Sequence, residues 1–195
     1  MPGKQVRLKS SIKFLICIGI MQCFFFYGIA LAKENAMIEN IKLANTKDNL
    51  LVYFDVKKAF TPKISQAVLN GIPTTFSFYI SLYKIKDLWF DKKISDIQIK
   101  STLKYNPLKK EFSILRSWKK NAVVVQAFEK TKPLMTEIDN LKILPLNQLV
   151  KGEKYQLRIK AKLDKFTLPL SLHDILIFVS LWDFETNWYL INFTY

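Results

Sequence analysis

A chain of 195 residues that is 50% hydrophobic and 14% aromatic can fill one full core, and five glycines without a low-complexity run give no sign of disorder. Thirty Lys and Arg against 16 Asp and Glu set the net charge at +14. One histidine and two cysteines, the latter both in an apolar N-terminal stretch, exclude a zinc site built from the usual ligands.

Lys4, Arg7, Lys9 and Lys13 form a basic start without an acid, residues 14–31 are apolar apart from Gln22 and the glycines, and Ala30-Leu31-Ala32 is a small-x-small cleavage pattern. These features predict a signal peptide cut after Ala32. The alternative is a retained anchor, because residues 14–31 just reach the length of a spanning helix. Either way the domain boundary falls between residues 1–32 and 33–195. The basic end stays inside, and the rest is exported, periplasmic or held on the inner membrane facing the periplasm. Cys17 and Cys23 follow Ile16 and Gln22 rather than the small residue a lipidated cysteine requires. Removal of residues 1–32 takes away four basic residues and no acid, lowering the net charge from +14 to +10. It also leaves no cysteine, so the exported domain must be held by its core.

In chain order, residues 37–43 predict a strand, Thr46 to Asn49 a polar turn, and residues 50–56 the returning strand, with Leu50, Val52, Phe54 and Val56 on one face. Thr61 before Pro62, with Gly71 beyond, predicts a helix buried through Ile64, Ala67 and Val68. Phe76, Phe78, Ile80 and Leu82 alternate with Ser77, Tyr79, Ser81 and Tyr83 as a strand. Residues 87–91 read as a loop in which two acids bracket Leu88, Trp89 and Phe90. Two strands follow, marked by Ile97, Ile99, Leu103 and Tyr105 and by Phe112, Ile114 and Trp118, and residues 119–121 turn the second into residues 122–128. A second helix is expected over residues 133–141, with Thr131 as cap, and Lys151-Gly152 is a turn. Tyr155, Leu157, Ile159, Ala161 and Leu163 alternate with Gln156, Arg158, Lys160 and Lys162 in a half-exposed strand. Residues 168–172 break it, and residues 173–179 fit a helical turn or a strand. Toward the C-terminus the apolar parity changes between Phe184 and Tyr189, predicting a turn or bulge at residues 185–187. Trp182, Phe184, Trp188, Ile191 and Phe193 are expected to close the core, with Asp183 and Glu185 facing outward.

About eight strands and two short helices without strand–helix alternation predict a mainly β fold. The expected form is an antiparallel two-sheet sandwich, immunoglobulin-like in topology, behind the N-terminal signal or anchor helix. Phe60-Thr61-Pro62, residues 71–76 (GIPTTF), Trp89-Phe90-Asp91, residues 103–108 (LKYNPL), Leu168-Pro169-Leu170 and residues 180–186 (SLWDFET) resemble landmarks of a bacterial family, domain of unknown function 4390. The resemblance covers nearly all of the chain after residue 32, and residues 180–186 are its most specific part. It implies exported or membrane-anchored proteins of Gram-negative bacteria and brings no activity, cofactor or catalytic residue.

The chemistry is sparse. Asp183 with Glu185 is the densest acidic spot near the aromatic end, and too few oxygens stand together there for a calcium cage. His173-Asp174 lies near Ser171 and Ser180 without a nucleophile elbow, which argues against a hydrolase triad. Asp183 adjoins Trp182 and Asp91 lies two residues after Trp89, and the two acids could pair for sugar hydrolysis, or they are simply the outward members of alternating apolar and acidic positions. Arg158, Lys160 and Lys162 line one strand face: either a cation surface for anionic head groups or an acidic envelope partner, or lysines guarding a sheet edge. The expected function is a non-catalytic interaction module of the cell envelope binding a protein or an anionic membrane surface, through candidates Asp91, Asp183, Glu185, Arg158, Lys160 and Lys162. The alternatives are a carrier of a small or lipidic ligand between the sheets and a hydrolase. No cofactor and no nucleic-acid partner are expected.

Overall fold

Polar side chains close the first hairpin. In the computed structural model, which describes residues 36–164 and 184–195, strands β1 (Met37–Asn45) and β2 (Asn49–Lys57) run antiparallel. Between them the Thr46 hydroxyl accepts the Asp48 and Asn49 N–H groups, and the Thr46 N–H donates to the Asn49 carbonyl at 2.9 Å. Strand β7 (Glu137–Pro145) takes the other side of β2, giving a three-stranded sheet in the order β1-β2-β7. Strands β3 (Thr74–Lys84), β4 (Lys92–Asn106), β5 (Glu111–Arg116), β6 (Val123–Val125), β8 (Lys154–Leu163) and β9 (Tyr189–Thr194) make a six-stranded antiparallel sheet in the order β6-β5-β4-β3-β8-β9.

The two sheets share one core, which fits a sandwich. Leu50, Val52, Phe54 and Val56 of β2 are buried, as are Phe76, Phe78, Ile80 and Leu82 of β3 and the five alternate residues Tyr155 to Leu163 of β8. The Phe54 and Phe78 rings meet edge-on with centroids 6.0 Å apart, and Phe76 meets Phe60 at 5.4 Å and Phe184 at 5.2 Å in the same manner. Edge-to-face contact sets the positive ring edge against the negative face of its neighbour.

Helix α1 (Pro62–Leu69) follows its local signals. The Thr61 hydroxyl accepts the Ile64 N–H, Pro62 opens the helix, Ile64, Ala67 and Val68 are buried, and Gly71 takes φ +81°. The second helix departs from expectation. Helix α2 is Phe128–Thr136, with Pro133 inside it, and Glu137 begins strand β7 directly. Thr131 is therefore no cap; its buried hydroxyl donates to the Phe128 carbonyl. The cause lies at Asn140, which adopts φ +52°. Val52 pairs with Leu141 and Phe54 with Ile138, so three steps on β7 match two on β2. The bulge puts buried Ile138 and Leu141 three apart, a spacing that imitates a helix. A similar shift, with Asn40 at φ +54°, lies across β2 on β1.

The C-terminal parity change proves to be a bulge along a single partner strand. Glu185 pairs with Lys162 and Tyr189 with Ile159, so one extra residue stands opposite β8. Thr186 holds it: its N–H donates to the Ala161 carbonyl at 2.9 Å, and its hydroxyl accepts the Ala161 N–H at 3.0 Å. Phe184 joins the core and Ile191 and Phe193 lie half-buried against it. Trp188 does not: it is 46% exposed, because the bulge puts it on the parity of Leu190 and Asn192. Trp182 and Asp183, and the segment 168–179, lie outside the described residues.

Two substitutions test this packing by urea unfolding. Phe78→Ala should cost about 3–5 kcal/mol, the range for emptying a buried aromatic site. Thr186→Ala should cost about 1–3 kcal/mol by stranding the buried Ala161 N–H, while Thr186→Ser, which keeps the hydroxyl, should recover most of that loss.

Candidate functional site

Because β8 alternates strictly, its outward side chains are Gln156, Arg158, Lys160 and Lys162, and the register sets them opposite Tyr83, Ser81, Tyr79 and Ser77 of β3. Arg158 is fixed from three sides. Its Nη2 donates to Asp91 Oδ2 at 2.9 Å, its Nε donates to Gln156 Oε1 at 2.6 Å, and its guanidinium carbon lies 3.9 Å from the Tyr83 ring centroid. A planar guanidinium suits both the carboxylate and the ring face. Lys160 pairs with Glu185 and stands 5.5 Å from the Trp188 ring centroid, and Lys162 lies 3.7 Å from the other Glu185 oxygen.

Five of the six candidate interaction residues are thus gathered on one sheet face: Asp91 with Arg158, and Glu185 with Lys160 and Lys162. Asp183 lies outside the described residues. The neighbouring columns repeat the theme. Lys100 donates to Asp164 at 2.8 Å, with the buried Ser77 hydroxyl donating to the other oxygen at 2.6 Å. Lys93 and the buried Ser81 hydroxyl do the same for Asp96, at 2.8 and 2.6 Å. Hydrogen bonding from Lys160 holds the Glu185 carboxyl below the usual range, and Lys93 and then Ser81 do so for Asp96. Between the sheets, burial opposes the charge of Asp139, but the Lys119 hydrogen bond and charge, aided by the backbone and Arg116, hold its carboxyl low as well. Arg158 is thus matched by Asp91, while Lys160 and Lys162 share the single carboxylate of Glu185, so the face keeps part of its positive charge.

The loop around Asp91 carries a feature outside the six candidate residues. Leu88, Trp89 and Phe90 are 91%, 79% and 96% exposed at the tip of the β3–β4 hairpin. Their stem is tied down: Lys84 pairs with Lys92, the Ile85 N–H donates to the Lys154 carbonyl at 2.9 Å, and Asp91 is gripped by Arg158. In the sequence this feature is visible as three consecutive apolar residues inside a charged loop.

A family model described as a domain of unknown function, DUF4390, matches residues 33–192. The chain belongs to the DUF4390 family. No curated protein and no solved structure matches it. In this DUF4390 chain the motif residues have visible structural parts: Asp91 holds the hairpin stem and Thr186 the terminal bulge. Among the described residues there is no cluster of three or more metal-ligating side chains, and no helix is long and apolar enough to cross a membrane.

The depressed carboxyls fix the sign of the acid response. Their contribution is complete above the unfolded-state values near pH 4 and is lost as pH falls through the lower folded-state values. Stability of the DUF4390 domain should therefore drop between about pH 5 and pH 3, and Asp139→Asn, less stable at neutral pH, should flatten that drop. Urea midpoints across this range check it.

Proposed function

We propose that the protein is a non-catalytic interaction module of the cell envelope. It is exported with residues 33–195 beyond the inner membrane, as a periplasmic or membrane-anchored domain, and binds a protein or an anionic membrane surface through the end of the sandwich that carries the β3–β4 tip. The observation that carries this reading is the exposure of Leu88, Trp89 and Phe90 together on a braced stem. Adjacent exposed apolar side chains at one point mark a contact surface, whereas scattered ones do not. The non-catalytic part is supported by the engagement of the candidate acids, Asp91 by Arg158 and Glu185 by two lysines.

The alternative, a carrier of a small or lipidic ligand, draws support from a different place. A cleft of about 300 Å³ lies beside the end of β2, lined by Val56, Ala59, Phe60 and Pro133 together with three lysines, Lys57, Lys58 and Lys132, and one acid, Glu137. Its cations and apolar walls would suit an amphiphilic anion.

Placing a photo-crosslinking residue at position 90 or at 108, which is 95% exposed at a β-turn on the other end of β4, separates the tip from an ordinary exposed site. In the cells that make the protein, position 90 should give an adduct to a protein or to lipid that is several-fold stronger than that at 108. Equal labelling of the two on a stable protein refutes the module reading. A reporter active only outside the cytoplasm, fused after Tyr195, should be active; an inactive reporter on a stable fusion refutes export.

A further inference from the structure

We infer that the β3–β4 tip is a membrane-interface anchor. Leu88, Trp89 and Phe90 enter the boundary between head groups and acyl chains of an anionic bilayer, and Lys86 and Lys92 contact the phosphates above it. This rests on the tip being a contact surface and names what it contacts.

Three observations select a bilayer over a protein. The first is area. Three such side chains present roughly 500–600 Å² at most, and a protein interface of ~800 Å² per partner would have to recruit the polar, internally paired surface around them. Interfacial insertion has no such minimum, and Trp, Phe and Leu are the side chains that occupy that depth. The second is charge placement. Lys86 and Lys92 flank the apolar triplet on both sides, are exposed, and make no ion pair among the described residues. Asp91, the acid at the triplet's C-terminal side, is drawn back onto Arg158, which leaves Asp87 as the one other acid within residues 86–92. Long lysine stems let the ammonium groups stay at phosphate level while the tip goes deeper. The third is the surroundings. The β7–β8 connection leads into β8 beside Ile85, at the same end of the sandwich, and adds half-exposed Val150 next to Lys151. An apolar point flanked by Lys86 and Lys92, with Lys151 at the same end and Glu153 held by Lys84, is complementary to an anionic membrane surface.

The test uses the full chain with Cys17→Ser and Cys23→Ser and one new cysteine, Trp89→Cys or Leu108→Cys, labelled with an environment-sensitive fluorophore. Each is reconstituted in vesicles of phosphatidylcholine alone or with 30% phosphatidylglycerol. The label at 89 should shift to the blue and be quenched by nitroxide-bearing lipid in the anionic vesicles, while the label at 108 stays aqueous. Lys86→Gln and Lys92→Gln should each lower the inserted population about fivefold at low salt. Thermal unfolding confirms that every variant is folded. A label at 89 as aqueous as that at 108 in anionic vesicles overturns the inference. If position 90 then still crosslinks to a discrete protein in cells, the module reading stands with a protein partner. If it crosslinks to nothing, both fall.

Discussion

Strand β3 is the constraint on which the rest of the molecule hangs. It pairs along its length with β4 on one side and β8 on the other, so its backbone N–H and C=O groups are committed to the sheet. Phe76, Phe78, Ile80 and Leu82 are all buried, and Phe78 meets Phe54 of the opposite sheet edge-on. Even its other face carries two buried hydroxyls, Ser77 and Ser81, each donating to a carboxylate that also binds a lysine. A strand satisfied on both edges and both faces has no room to slip in register, since a one-residue shift would exchange these serines with the phenylalanines.

That rigidity is passed through the hairpin to the tip proposed as the contact surface. β3 ends at Lys84 and β4 begins at Lys92, and the intervening residues have their stem fixed by the Ile85 hydrogen bond and by Arg158 acting on Asp91 and Tyr83. The same outward cations of β8 that looked like a binding surface are thus partly structural. They pair with acids of the loop and the terminal bulge, and the apolar tip beyond them is the contact surface proposed above. A cation matched by an acid, as Arg158 is by Asp91 at 2.9 Å, projects little field, whereas Lys86 and Lys92, which make no ion pair among the described residues, project more.

Much of the fold was legible because its signals are local. The Thr61 cap, Pro62 and Gly71 delimit the first helix within ten residues of chain, and β8 declares its faces through unbroken alternation. Where a bulge intervenes, parity misleads. Asn140 turned a strand into an apparent helix through Ile138 and Leu141, and the extra residue at Thr186 moved Trp188 off the core. The order of strands within each sheet rests on long-range pairings that local patterns do not carry. The site was legible as residue types but not as pairs: Asp91 and Arg158 are 67 residues apart, and only the β3–β4–β8 register brings them together.

The central claim is a stiff, fully paired stem presenting an exposed apolar tip, and amide hydrogen exchange of the full chain measures it most directly. Amides of residues 76–82 should exchange only by global unfolding, those of residues 87–90 should exchange nearly unprotected, and the boundary should fall just beyond Ile85 and at Lys92. Protection of residues 87–90 comparable to that of β3, or exchange of β3 as fast as that of the tip, would contradict the account.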